Sequence, residues 1–83
     1  MSTVLKKLSE KMDRAVDDFD RAIVKINDVA ESIGAARARG DHGREATLRQ
    51  ELEDALRAKE NAAGRVTTTA QEITNEVASK QQA

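Results

Sequence analysis

Histidine is the residue type used most often in general acid–base catalysis, and this sequence contains one, His42. It stands between Asp41 and Gly43 in a glycine-rich segment. General acid–base catalysis needs a fixed group in a pocket that excludes water, and a glycine-rich turn has few means of fixing an imidazole ring. The chain also lacks cysteine, tyrosine and tryptophan. We therefore expect no catalytic residue and no enzymatic activity.

Acidic residues are the other candidates for chemistry, because a run of carboxylates can bind a cation. Asp13, Asp17, Asp18 and Asp20 lie close together in the sequence. Calcium needs six to eight oxygens that converge from a bent loop, whereas a straight helix spreads these side chains over several faces. A carboxylate-bridged di-metal bundle needs a glutamate three residues before a histidine, and position 39 is an arginine. We expect no metal site and no cofactor.

Basic residues gather around the same turn and form a possible anion-binding tip: Arg37, Arg39, His42 and Arg44. Guanidinium groups beside the free amides of a helix N-terminus can bind phosphate. Asp41 and Glu45 compete for those amides and guanidiniums, and arginines at a helix C-terminus are favoured by the helix dipole alone. Binding of a phosphate-bearing small ligand or nucleic acid through this tip is therefore the alternative functional hypothesis.

The spacing of apolar residues predicts the helices that carry these side chains, and the first half of the chain shows the clearer pattern. Apolar or small residues recur there at alternating spacings of three and four, from Leu5 to Ala36, which is typical of a helix with a core-facing stripe. Val16, Ile23 and Ala30 widen this stripe to three residues in every seven, as in a helix inside a bundle. The pattern predicts a helix over about 3–38.

The second half of the chain predicts another helix, antiparallel to the first. Gly40 and Gly43 mark a turn over about 39–43, and a thinner stripe follows over about 44–79, with a frayed tail at 80–83. Small residues on this second helix are expected to face the large residues of the first. The chain is thus predicted to be a single all-α domain, 1–83, folded as an antiparallel helical hairpin of two long helices.

Two helices alone cannot cover the wide stripe of the first helix, so the hairpin is expected to self-associate into a four-helix bundle or a higher helical oligomer. A two-fold dimer is the simplest closed form, although nothing in the stripe excludes trimers or hexamers. The predicted oligomer or partner interface consists of large apolar residues from both helices: Leu5, Leu8, Met12, Val16, Phe19, Ile23, Ile26, Val29, Ile33, Leu52, Leu56, Val66 and Ile73.

The function expected from this pattern is that of a non-enzymatic interaction protein that binds, caps or inhibits another macromolecule, such as a small phage-type inhibitor or a secretion or assembly chaperone. Its expected partners are a second copy of itself and another protein. The near balance of 14 basic against 15 acidic residues argues against nucleic acid as a partner. The absence of cysteine and of a long apolar run favours a cytoplasmic location without a membrane partner.

Overall fold

The computed structural model describes residues 2–81 as two long antiparallel helices joined by a short turn. Helix α1 spans Thr3–Ala38 and helix α2 spans His42–Gln81. Over the described range there is no strand, so the predicted all-helical hairpin is confirmed. The two helices form a rod with principal extents of 65 × 15 × 12 Å.

Local capping bonds explain where α1 begins and ends. At its start the Ser2 hydroxyl accepts a hydrogen bond from the Leu5 amide at 3.0 Å, which satisfies one of the free amides of the first turn. At its end Gly40 adopts a φ of 71°, which a glycine reaches without steric cost. The Asp41 amide then donates to the Ala36 carbonyl at 2.9 Å and closes the helix end.

Helix α2 begins and ends at different residues from those expected. It starts at His42 rather than at about residue 44, because the Asp41 carboxylate accepts from the Arg44 amide at 3.1 Å and caps the helix earlier. It continues through Lys80 to Gln81, where we expected fraying, and Lys80 pairs with Glu76 at 3.8 Å in this last turn. The remainder of the predicted frayed tail, residues 82 and 83, lies outside the described residues.

The seam between the helices is built from mostly small residues that recur every seventh position: Ala15, Ala22, Val29 and Ala36 on α1, and Leu48, Ala55, Ala62 and Thr69 on α2. The expectation of large residues on α1 facing small ones on α2 is therefore wrong for most of the seam. Small residues from both helices meet, which lets the two backbones approach closely. Towards the turn the core contains larger side chains: Val29 and Leu48 are buried, and Ile33 and Leu52 pack against this cluster.

The cross-helix ion pairs define which residues lie at the same height along the rod. Lys11 pairs with Glu72 at 2.9 Å, and Asp18 pairs with Arg65 at 2.9 Å. Asp18 lies seven positions after Lys11, and Arg65 lies seven positions before Glu72, so both pairs give the same register. Each step forward along α1 is therefore level with one step back along α2.

Candidate interaction surface

The large apolar residues of both helices lie on one side of the hairpin, which we call the apolar flank. Its inner rows border the seam and are half-buried: Leu5, Met12, Phe19, Ile26 and Ile33 on α1, with Leu52, Val66 and Ile73 on α2. Its outer rows lie further from the seam: Val16, Ile23 and Ala30 on α1, with Leu56, Ala63, Ala70 and Val77 on α2. Val16, Leu56 and Val77 are 41%, 39% and 39% exposed.

Helical geometry explains why these rows share a side. A residue four positions after a seam residue lies about 40° around the helix, and a residue one position after it lies about 100° around in the same direction. Phe19 and Val16 stand in these relations to Ala15, and Val66 and Ala63 stand in them to Ala62. Because the helices are antiparallel, the same rotation on both brings these rows to one side of the rod.

A shallow groove in the apolar flank shows this directly. Its volume is about 310 Å³, and it is lined by Val16 and Phe19 from α1 and by Ala63, Val66 and Thr67 from α2. Phe19 is the only aromatic residue of the chain. The groove is therefore lined by one aromatic side chain and by smaller side chains from both helices.

The opposite side, which we call the polar flank, is closed by ion pairs between its own residues. The Asp18 carboxylate receives Arg65 from α2 at 2.9 Å and Arg21 from its own helix at 3.7 Å. These residues line a groove of about 440 Å³ together with Lys25 and Asn61. Lys11 and Glu72 make a second bridge on this side. Asp18, Arg65, Lys11 and Glu72 therefore already have partners within the chain.

Charged residues interrupt the apolar flank at few places. Lys59 occupies an inner-row position between Leu52 and Val66 and is half-buried. The long aliphatic stem of a lysine can cover apolar surface while its ammonium group reaches water. Lys59 is therefore compatible with a covered flank, although it weakens the apolar surface there.

At the turn, three side chains form an ion-pair cluster that includes Arg37, one of the residues of the predicted anion-binding tip. Glu45 accepts from Arg37 at 3.2 Å and from Arg49 at 3.2 Å. The hydrogen bond from Arg37 lowers the pKa of Glu45, partial desolvation raises it, and the bond from Arg49 lowers it again, with a net lowering from 4.5. Because the pKa of Glu45 is lower in the folded chain than in the unfolded one, its ionised carboxylate stabilises the folded hairpin above pH 4.5. This stabilisation is lost as the pH falls below that value and the carboxylate is protonated.

The remaining residues of the predicted tip, Arg39, His42 and Arg44, are exposed, and the Asp41 carboxylate accepts from the Arg44 amide in the first turn of α2. Among the described residues, no group of three or more histidine, cysteine, aspartate or glutamate side chains is placed to hold a metal ion.

Most residues of the predicted interface lie on the apolar flank, with two exceptions. Val29 is buried in the seam at 4% exposure, so it holds the hairpin together and is not available to a second molecule. Leu8 lies in line with the seam residues of α1. The sequence pattern did not single out Ala63, Ala70 and Val77 as interface residues, although they follow Leu56 at seven-residue spacing.

No protein-family model, curated protein or solved structure matches this chain. Neither helix contains, within the part of the chain that the structure describes, a segment long and apolar enough to cross a membrane.

Proposed function

We propose that this chain is a non-enzymatic interaction protein whose hairpins pair through the apolar flank into a four-helix bundle. The bundle acts by binding, capping or blocking another macromolecule, as an inhibitor or an assembly chaperone does. The observation that carries the proposal is the apolar flank itself, a surface on one side of the rod that gathers most of the large apolar side chains and is interrupted by Lys59.

The thin core of the single hairpin supports pairing. Its fully buried apolar residues are mostly alanines, and an alanine side chain contributes little apolar area when it is buried. Most of the larger apolar side chains, unlike Val29 and Leu48, remain half-buried or exposed. Covering that flank with a second hairpin would add the apolar burial that an 83-residue chain otherwise lacks.

The distribution of charge supports pairing through the apolar flank rather than through the polar flank. The polar flank carries ion pairs that bridge its two helices, whereas few charges interrupt the apolar flank. An exposed apolar surface of this length is an aggregation hazard unless another molecule covers it. Pairing of two flanks removes both surfaces from water and leaves the polar flanks and outer faces to contact the macromolecular partner.

The test is the molar mass in solution, measured by light scattering across a concentration series, for three proteins. They are the natural sequence, Val16→Asp and Val24→Asp. Val16 lies on the apolar flank at 41% exposure, and Val24 lies on the outer face of the same helix at 59% exposure. Refractive-index detection is needed because the chain has no tryptophan or tyrosine.

We expect the natural sequence and Val24→Asp to be dimers over the same concentrations, and Val16→Asp to be mainly monomeric. A buried aspartate opposite apolar side chains would leave an unpaired charge in the interface, while the same charge on the outer face stays in water. A natural chain that is folded and monomeric at all concentrations would contradict the proposal, and so would equal dissociation of both variants.

A further inference from the structure

We propose that the groove in the polar flank is a binding site for a phosphate monoester. Cationic side chains from both helices line this groove, and one of them lies where the cross-helix ion pairs lack a carboxylate. The groove is on the flank opposite to the one proposed to pair, so this second proposal does not depend on the pairing.

The series of cross-helix ion pairs on the polar flank lacks a carboxylate at the level of this groove. Asp18 pairs with Arg65 at 2.9 Å, one heptad after the bridge that Lys11 makes. A further step of seven positions reaches Lys25 on α1 and Ala58 on α2. An alanine side chain has no charge, so this level of the rod does not supply the carboxylate that would pair with Lys25.

Lys25 has no other acidic partner in the hairpin. It is exposed, and within the described residues 2–81 its ammonium group forms no ion pair. The acidic residues about one turn nearer the loop, Asp28 on α1 and Asp54 on α2, do not line the groove, and Asp54 pairs with Arg57. The ammonium group is therefore available to an anion from solution.

The groove has an excess of two positive charges. Arg21, Lys25 and Arg65 line it, and Asp18 is the one carboxylate among its described lining residues. Arg21 lies four positions before Lys25, so two like charges stand on neighbouring turns of α1, which destabilises a helix. An anion with two negative charges would balance the excess and remove this repulsion.

The groups that line the groove are suitable donors to phosphate oxygens. Guanidinium and ammonium groups donate charge-assisted hydrogen bonds to phosphate, and an asparagine side chain supplies two further N–H donors. In the register of the ion pairs Asn61 is level with Ala22, between the heights of Arg21 and Lys25. Donors from both helices are thus present at the level where the carboxylate is missing.

The groove also has room for the organic part of a monoester. Its volume is about 440 Å³, which lies within the range of small-molecule sites, about 300–1,000 Å³. Its uncharged lining includes Ala22, Ala55 and Ala58, whose methyl groups take up little space and offer an apolar surface. A phosphate monoester carries close to two negative charges at neutral pH, which matches the excess charge of the groove.

Titration with inorganic phosphate and with phenyl phosphate, followed by the backbone amide NMR signals of isotope-labelled protein, tests the site. Each titration is compared with sodium chloride at the same ionic strength, which removes the effect of general screening. We expect both probes to give saturable shifts of the signals of Lys25, Ala58 and Asn61, with tighter binding of phenyl phosphate. Shifts no larger than those with chloride, or saturable shifts confined to the turn, would overturn the proposal.

A pair of charge variants tests whether the groove itself binds the anion. Arg21→Gln/Lys25→Gln removes two cations from the groove, and the control Lys6→Gln/Lys7→Gln removes the same charge from exposed positions of α1 outside it. One exposed ion pair changes affinity by up to about fivefold, so we expect the groove variant to weaken phosphate binding about tenfold and the control by less than about twofold. Equal weakening in the two variants would mean that phosphate responds only to net charge.

A second pair of variants supplies the missing carboxylate. Ala58→Glu places a carboxylate level with Lys25, and Ala58→Gln introduces a side chain of the same size without the charge. We expect Ala58→Glu to abolish phosphate binding and Ala58→Gln to retain it, because an internal carboxylate competes with the anion for the same cation. Position 58 is exposed and both new residues favour helices, so circular dichroism should show the hairpin intact. Undiminished phosphate binding by a folded Ala58→Glu variant, or equal loss in both variants, would contradict the proposed site.

Discussion

Thr69 is the most unusual residue of the hairpin core. It is fully buried in the seam between the helices, and its hydroxyl oxygen has no hydrogen-bond partner among the described residues. In the register of the cross-helix ion pairs it lies nearest in height to Ala15, which offers no polar group in its side chain. A buried hydroxyl without a partner has lost its hydrogen bonds to water without compensation.

Replacing Thr69 with valine should therefore stabilise the protein, because valine has the same shape and no hydroxyl. We expect Thr69→Val to raise the free energy of unfolding by about 1 kcal/mol, measured by urea denaturation followed by circular dichroism. The matched control is Thr68→Val, at an exposed position, which should change the free energy of unfolding little. A clear loss of stability in Thr69→Val would mean that the hydroxyl has a partner, such as a carbonyl one turn earlier.

At the scale of the elements, glycines have opposite roles in the turn and in α2. Gly40 holds a φ of 71° in the turn, a conformation that costs other residues about 1–2 kcal/mol. Gly64 lies inside α2, and a β-carbon added there would meet nothing within 4 Å. The same substitution should therefore have opposite effects at the two positions.

We expect Gly64→Ala to raise the free energy of unfolding by about 1 kcal/mol, because alanine loses less backbone entropy in a helix. Gly40→Ala should lower it by about the same amount through backbone strain. Thermal unfolding monitored by circular dichroism measures both. If Gly40→Ala proved neutral, the turn would have to adopt a different conformation from the one described.

The sequence predicted the two helices and their turn because periodicity and glycine placement are local signals. It did not predict which residues would form the seam. On α1 three adjacent rows carry apolar or small residues, represented by Ala15, Phe19 and Val16, and each of them can face α2. The choice depends on how closely the backbones approach, which is a property of both helices together. The alanine row lies in the seam, so the larger rows became the apolar flank.

The end of α2 illustrates a second limit of local signals. The polar tail was expected to fray after residue 79, whereas α2 continues to Gln81. Its last turns lie beside the first turns of α1, and Lys11 bridges to Glu72 there.

The ion-pair cluster at the turn was also only partly predicted. Glu45 was expected to compete for groups at the tip, but sequence alone did not show that it would bind Arg37 and Arg49 together.

For the whole molecule, the balance between a thin core and a large apolar flank links stability to association. If the folded hairpin is the form that pairs, pairing adds to the free energy of unfolding in proportion to the logarithm of protein concentration. The Tm of the natural sequence should therefore rise by a few degrees for each tenfold increase in concentration, given the unfolding enthalpy expected for two chains of this length. Differential scanning calorimetry over a hundredfold range measures this shift.

The variants of the two exposed valines make this prediction specific to the apolar flank. Val24→Asp should keep the concentration dependence of the natural sequence, because its charge remains on the outer face. Val16→Asp should have a lower Tm that is nearly independent of concentration, since its hairpin can no longer bury the flank. A Tm of the natural sequence that stays constant over the whole range would mean that one hairpin is stable alone, and the apolar flank would then be open to a helix of a different protein.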